Sequence, residues 1–306
     1  MTIQSIGIAG MGVVGGAVYA GFSGHVPIQR FDIDRAKSDS LSSTLACDAI
    51  FVCLPTPMRA NTGECDLSII TDFFQRARGV LETLNVQRIQ AELQVHKPIF
   101  IIKSTVPVGT TRKLARWATF GRFVHNPEFL TEKNANEEFK NQPFVVLGGA
   151  DSDAIEEVLS LYSRIFKTLV PPNEAREPQY LFNYRVMPSD ASEMVKYLIN
   201  SFLAMKVTFF NDAKIWAKHH RLPWHLVRNA VTQDPRIGVS HSQVPGPDGM
   251  HGFGGSCFPK DLSSMIHQLT LAGLSADLPM TVMLRNRQVR EACEWATTPD
   301  NAKEWT

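Results

Sequence analysis

Short apolar runs, separated by stretches with helical spacing, fill the first half of the chain. Residues 3–9 predict a buried strand, followed by a glycine-rich turn and a helix beginning near Gly16. Residues 27–31 read as a second strand that ends at Asp32. Only residues 35–46 separate it from the apolar run 49–54, which leaves room for at most one short helix. Pro55-Thr56-Pro57 ends that third strand, and Asp66 is placed to cap a helix running to about Leu84. Further strands are predicted at 98–102, near Phe123-Val124, at 144–147 and at 168–170, with a helix over 151–166. Strands separated by helices specify an α/β fold: a doubly wound parallel sheet of Rossmann type.

From about Ser189 the period changes. Residues 191–218 form one long helical pattern and 223–231 another. A loop rich in Gly, Pro and His covers 234–255, and two more helices lie between Leu262 and about Trp295. The chain therefore divides into an α/β domain over residues 1–186 and an all-helical domain over 187–306. The boundary falls in Tyr184-Arg185-Val186-Met187-Pro188, which has no clear period.

The first turn carries chemistry. Gly10-Met11-Gly12-Val13-Val14-Gly15 has the G-x-G-x-x-G spacing and lies between a strand and a helix. The first glycine makes the tight turn, the second admits a pyrophosphate to the backbone, and the third lets helix pack on strand. The helix N-terminus then faces the phosphates. Asp32 stands at the distance where a carboxylate accepts hydrogen bonds from an adenosine ribose. The same charge repels a 2′-phosphate, so the expected cofactor is NAD rather than NADP. Arg35 is the one neighbour able to blunt that preference.

Composition narrows the classes. The formal net charge of +1 gives no sign of a nucleic-acid or anionic-membrane partner. The first charged side chain is Arg30, yet this opening stretch is glycine-rich, lacks a basic start and is accounted for as strand, turn, helix and strand. Cys47, Cys53, Cys65, Cys257 and Cys293 form no C-x-x-C pair, which predicts reduced thiols in a cytoplasmic setting. The histidines His219, His220, His241 and His251 have no metal-ligand spacing, and no metal is expected.

Gly254-Gly255-Ser256-Cys257-Phe258-Pro259-Lys260-Asp261 is the most informative stretch. Pro259 suits a first helical position, because its missing N–H would be unpaired there anyway. Cys257 then sits where unpaired N–H groups and the helix dipole favour an anion, with Lys260 adding a positive charge. The alternative is a buried cysteine in a glycine-rich loop. The two glycines, Lys260 and Asp261 favour the reactive thiol.

Other groupings keep two readings each. Glu128 and Glu132 would share one face of a helical turn after Asn126-Pro127, as ligand-facing carboxylates or as a solvated acidic face. Lys196 and Asn200 are one turn apart on the long helix, suited to a developing oxyanion or to an exposed Lys beside a structural Asn. Arg236 suits a phosphate or sugar anion, or an ordinary loop salt bridge.

These segments, in this order, resemble the UDP-glucose/GDP-mannose dehydrogenase family. The matching blocks are Gly10 to Gly15 with Asp32, Leu54-Pro55-Thr56-Pro57, Lys103 to Thr111, Asn126 to Glu132, Lys196 to Asn200, Asp234 to Gly238, and Phe253 to Asp261. The resemblance implies NAD on Gly10, Gly12, Val13, Val14, Gly15, Asp32 and Arg35, with Pro55, Thr56 and Thr105 alongside. It implies that Cys257 captures an aldehyde formed from a sugar C6 alcohol, as a thiohemiacetal and then a thioester. Lys196 and Asn200 would hold the oxyanions, and Glu132, Asp261 and Thr105 would activate water or move protons. Glu128, Phe129, Leu130, Arg236, Phe253, Gly254 and Gly255 would line the sugar or nucleotide-sugar pocket. A homodimer through the helical domain is implied as well.

Two departures matter. Family members continue into a second Rossmann-like domain that grips the nucleotide, and this chain stops at Thr306, so a short form lacking that domain is expected. The segment between Asp34 and Ala49 is also shorter than usual. Two competing readings follow: a two-electron hydroxyacid dehydrogenase, which needs no thiol, and a non-catalytic NAD-binding protein.

Overall fold

Strands β1 (Ile6–Ala9), β2 (Ile28–Phe31), β3 (Ala49–Val52), β4 (Ile99–Ile102), β5 (Arg122–His125), β6 (Val145–Gly148) and β7 (Tyr184–Met187) form one sheet in the order β2-β1-β3-β4-β5-β6-β7. The computed structural model describes residues 2–166 and 183–290. The expected strand at 168–170, Cys293 and the helix end near Trp295 lie outside the described residues.

β1, β3, β4 and β6 are buried along their whole length. Their side chains alternate between two cores, as the period of two requires. Ile6, Ile8, Phe51, Ile99 and Ile101 enter one core; Ile50, Val52, Phe100 and Ile102 enter the other. The first core is closed by α1 (Val13–Phe22), α5 (Ala135–Lys140) and α6 (Ser152–Tyr162). The second is closed by Ile70, Phe73, Phe74, Ala77 and Leu81 of α3 (Ser68–Gln90). Helices on both faces make the sheet doubly wound. It is parallel from β2 through β5, but β6 pairs antiparallel with β5 at His125 and Gly148, so the sheet is mixed rather than wholly parallel.

Most expected elements stand within a few residues of their predicted bounds. The short gap after Asp32 holds a 3-10 turn, Arg35–Lys37, and the five-residue α2 (Leu41–Leu45), capped by Ser40. Two local expectations need correction. Leu67, not Asp66, stands at the N-cap of α3, with no side-chain cap. The boundary segment without a period is the edge strand β7, whose positions are half-buried or exposed. Tyr184 packs against the first core, but an edge strand this sparsely covered has little need of apolar alternation.

The chain forms two compact units: Met1–Thr56 with Leu67–Lys196, and Pro57–Asp66 with Tyr197–Thr306. Besides the sheet, the first unit contains α4 (Thr110–Trp117) and the first two turns of α7 (Ser189–His219). The second contains the rest of α7, α8 (Trp224–Thr232), α9 (Phe258–Leu271) and α10 (Asp277–Val289). Its core is built on Ala204, Phe253, Leu262, Val282 and Met283. The loop 57–66 belongs to this unit because it packs on α9: a Cβ at Gly63 would lie 2.6 Å from Ser263 Oγ, and His267 Nδ1 is 3.1 Å from the Thr62 carbonyl.

Candidate active site

In the first unit the glycine turn follows β1 as expected. Gly10 has φ +92°, and a Cβ there would meet the Cys53 carbonyl at 2.5 Å. A Cβ at Gly15 would lie 1.8 Å from the Gly10 carbonyl oxygen, so the third glycine lets the helix close on the turn. Gly12 has nothing within 4 Å of its built Cβ, and α1 starts with no side-chain cap. In that uncapped first turn Val13 is exposed and Val14 half-buried. Asp32 is half-buried; its Oδ2 accepts from Met11 N at 2.5 Å and its Oδ1 from Asp34 N at 2.8 Å. One carboxylate therefore ties the end of β2 to the glycine turn. Arg35 is exposed on the following 3-10 turn. This uncapped, side-chain-free cradle beside a carboxylate fits a dinucleotide. Pro55 is exposed, and buried Thr56 donates its hydroxyl to the Thr105 carbonyl at 2.8 Å.

The carboxyl ends of β4 and β5 carry a buried polar cluster. Lys103 Nζ donates to Asn126 Oδ1 at 3.0 Å and to the Asn126 carbonyl at 3.2 Å. Tyr162 donates to the same Oδ1, and Asn126 Nδ2 donates to the Val146 carbonyl at 2.8 Å. Burial pushes the Lys103 ammonium down to about 8, against the pull of Cys53 and Glu128. Burial likewise pushes the Cys53 thiol up to about 12, against Lys103. His125 is pushed down to about 3 by burial and by the charges of Lys103 and Lys196, so its imidazole is neutral.

Lys196 lies beside this cluster. Its Nζ donates to the Glu128 carbonyl at 2.7 Å and to Glu128 Oε1 at 2.8 Å, and it lies 5.7 Å from the Phe129 ring centroid. Burial would raise the Glu128 carboxyl, but the charge and hydrogen bond of Lys196 outweigh it and hold the group below its ordinary range. Glu128 Oε2 also accepts from Leu130 N at 2.7 Å. A cleft of about 480 Å³ opens beside these residues, lined by Phe129, Leu130, Asn134, Glu138, Pro143 and Phe144. Glu132 does not share a helical face with Glu128, because residues 126–131 are irregular and Glu132 is an exposed turn residue. The sequence reading assumed a helical turn after Pro127, but the chain stays irregular there while Glu128 turns inward to Lys196.

In the second unit Cys257 is the N-cap of α9 and is exposed. Pro259 is the second helical residue rather than the first, another position whose N–H has no helical partner. Asp261, in the first turn, is buried; its Oδ2 accepts from Asn200 Nδ2 at 2.5 Å and its Oδ1 is held by Lys260. Burial works against the Lys260 ammonium, yet Asp261 outweighs it and holds the group above its ordinary value, with Cys257 and Cys65 adding to the effect. The approach to the thiol is pinned: Gly252 N donates to Asn211 Oδ1 at 3.0 Å and Phe253 N to Asn286 Oδ1 at 2.7 Å. Asn286 Nδ2 returns a bond to the Phe253 carbonyl at 2.8 Å. Gly254 is half-buried and Gly255 exposed, whereas the Phe253 side chain is in the core. Arg236 is exposed and doubles back on Asp234 at 2.6 Å, the loop salt bridge that was one of its two readings.

Several partners escaped the sequence reading. Lys103 had a signal, a lysine directly after the wholly apolar Ile99-Phe100-Ile101-Ile102. Tyr162, Asn211 and Asn286 had none, because each acts on a segment distant in the chain. Among the described residues no group of three or more His, Cys, Asp or Glu is placed to hold a metal. No described helix is long and apolar enough to cross a membrane.

Comparison with known proteins agrees with this geometry. Residues 35–166 match the UDP-glucose/GDP-mannose dehydrogenase family, NAD binding domain, and residues 190–288 match the central domain of the same family. A UDP-glucose 6-dehydrogenase of Rhizobium meliloti is 30% identical over 304 residues, covering 87% of this chain and 63% of that protein. A UDP-glucose dehydrogenase structure from Pyrobaculum islandicum superposes with a TM-score of 0.77 at 25% identity, covering 94% of this chain and 68% of that one. A 3-hydroxyisobutyrate dehydrogenase of Mycobacterium tuberculosis shares the fold, with a TM-score of 0.66 at 17% identity over 94% of both chains. The chain spans 49–63% of the length of three curated relatives it matches. The matched domain and the cradle at Gly12 and Asp32 make NAD the cofactor.

Proposed function

The chain belongs to the UDP-glucose/GDP-mannose dehydrogenase family, and on that premise we propose that it oxidises the C6 alcohol of a sugar or nucleotide sugar to the acid. The observation that carries this reading is Cys257: an exposed thiol at the N-terminus of the 14-residue α9, next to an Asp261 already engaged by Asn200 and Lys260. A two-electron alcohol dehydrogenase has no use for such a nucleophile.

NAD, when bound on the Gly10–Gly15 turn, accepts the electron pair and hydrogen of each of two oxidations. The chain's own residues do the rest. The alcohol loses two electrons and two hydrogens to become an aldehyde. The Cys257 thiolate adds to the aldehyde carbon, and the carbonyl oxygen takes a proton, which gives a thiohemiacetal. Removal of two further electrons and two hydrogens leaves a thioester. Water adds to the thioester carbon, the C–S bond breaks, and the acid and the thiol are released.

Lys196 has three N–H donors, two of them already aimed at Glu128; the third suits an oxyanion. Asn200 and Asp261 form the corresponding polar pair in the second unit, and Thr105 and Glu132 are assigned to proton and water handling. Sugar contacts are assigned to Glu128, Phe129 and Leu130 in the first unit and, in the second unit taken by itself, to the Gly254-Gly255 backbone. The 480 Å³ cleft, lined by Phe129, Leu130 and Phe144, supplies aromatic and apolar surface beside residues 128–130, suited to the face of a sugar ring. A homodimer through α7 is supported by Leu198, Phe202, Phe209 and Trp216, which are exposed and follow one face of the helix. We place the reaction in the cytosol from the composition of the thiols and the use of NAD.

The test is the yield of NADH per sugar at completion with UDP-glucose and with GDP-mannose. Four-electron oxidation gives two, a two-electron dehydrogenase one, and a binding protein none. Cys257→Ser should spare the first oxidation and block acid formation. Acid formed by that variant at the wild-type rate would falsify the thiol mechanism.

A further inference from the structure

We propose that Glu193 is a positioning residue for the cofactor site: its buried carboxylate fastens segment 104–111, which carries Thr105, to the helix that carries Lys196. The inference rests on the reading of Thr105 as a cofactor-binding residue.

α4 begins without a local cap. Its N-cap is Gly109, at φ +92°, which has no side chain to offer. By contrast α2 and α6 are capped by their own Ser40 and Asp151. The missing cap comes from α7. Glu193 Oε2 accepts from Gly109 N at 2.5 Å, and Oε1 accepts from Thr111 N at 2.7 Å. Glu193 is fully buried, and burial raises its carboxyl above the ordinary range even though both N–H groups favour the charge. A buried carboxylate is an expensive way to end a helix, since a serine or aspartate at the cap position does so at the surface. What it supplies instead is a connection between two segments distant in sequence.

That connection is one of four in the first two turns of α7, the outermost being the half-exposed Asp190 paired with Arg112 of α4 at 3.0 Å. Ser192 Oγ is 2.7 Å from His125 Nδ1, at the end of β5. Lys196 is held on Glu128, just beyond the same strand. Glu193 lies between them and holds the segment after β4. The other end of that segment is held by the Thr56 hydroxyl on the Thr105 carbonyl. The Ser104 hydroxyl adds a bond to the Leu54 carbonyl at 2.7 Å, so the β4 side of Thr105 is fixed to the strand ends and Glu193 fixes its far side. Only a carboxylate accepts both N–H groups: a glutamine offers one oxygen and turns an NH₂ toward the second N–H.

The test uses the full chain with NADH as the probe and needs no sugar, so it is independent of the number of oxidations catalysed. Glu193→Gln should exchange the amides of 104–111 faster in hydrogen–deuterium exchange. It should also bind NADH roughly tenfold more weakly by fluorescence titration, the scale expected from one lost hydrogen bond to a charged group. Glu193→Asp, which keeps the charge, should recover part of both. A purely structural role would lower the melting temperature while the folded protein bound NADH as before. NADH affinity within twofold of wild type in a cooperatively melting Glu193→Gln protein overturns the inference, and so does unchanged exchange of 104–111. If Glu193→Gln fails to fold, the same two measurements on Glu193→Asp decide. A wild-type chain that does not bind NADH also overturns it.

Discussion

Replacing Glu128 by glutamine removes one negative charge from a place where two lysines are buried. The Lys196 Nζ to Glu128 Oε1 distance is 2.8 Å, with the two side chains 4% and 11% exposed. At an effective dielectric constant of about 20 the Coulomb term at that distance is about 6 kcal/mol. Breaking such a pair from one side typically costs about 3–5 kcal/mol, because the remaining charge keeps its desolvation cost. Glutamine retains an oxygen acceptor, and the Glu128 carbonyl still takes a bond from Lys196, so roughly 2–4 kcal/mol is expected at neutral pH. In a unit of this size that lowers the melting temperature by about 5–15 °C.

The pH dependence has a definite sign. Glu128 is held below its ordinary value of 4.5, so its stabilising contribution is complete above that value and is lost as pH falls through the folded one. The gap between wild type and Glu128→Gln should be widest near pH 7 and close as the pH drops below the ordinary carboxylate range. Lys103 adds a second signature. Burial holds its ammonium down to about 8 while Cys53 and Glu128 pull it up, so the variant should lower it further. Thermal melts from neutral pH to well below the ordinary carboxylate range are the assay. A loss under about 1 kcal/mol at pH 7, or a gap that stays constant with pH, would show that the pair is not the buried, coupled unit described.

Two further outcomes are open to direct measurement. NAD should bind more tightly than NADP, and Asp32→Asn should narrow that preference by roughly tenfold, since it removes a charge facing the 2′ position; equal affinities of the wild type for both cofactors would refute the assignment of Asp32. Phe209→Asp on the exposed face of α7 should shift the proposed dimer to monomer in light scattering at micromolar concentration, and a wild type that is already monomeric would remove the proposed interface.

The sequence by itself determined the alternation of strands and helices, the glycine turn with its carboxylate, and the thiol ahead of α9. Each of these is local: a strand buried on both faces must be apolar throughout, a tight turn requires glycine, and a helix start is marked by its own first residues. The tertiary structure decided what depended on distant partners. Asp66 reads as a helix cap until its loop is seen packing on α9, which leaves Leu67 at the start of α3. Glu128 and Glu132 read as a helical pair until Glu128 is seen turned to Lys196, 68 residues away in sequence. β7 was invisible because no position of this edge strand is fully buried and only Tyr184 packs on a core, and the antiparallel step from β5 to β6 left no mark on the pattern of either strand. Lys103, Glu193 and Asn286 illustrate the same limit. A buried polar side chain is tolerated only where the fold brings its partners, and those partners lie 23, 82 and 33 residues away.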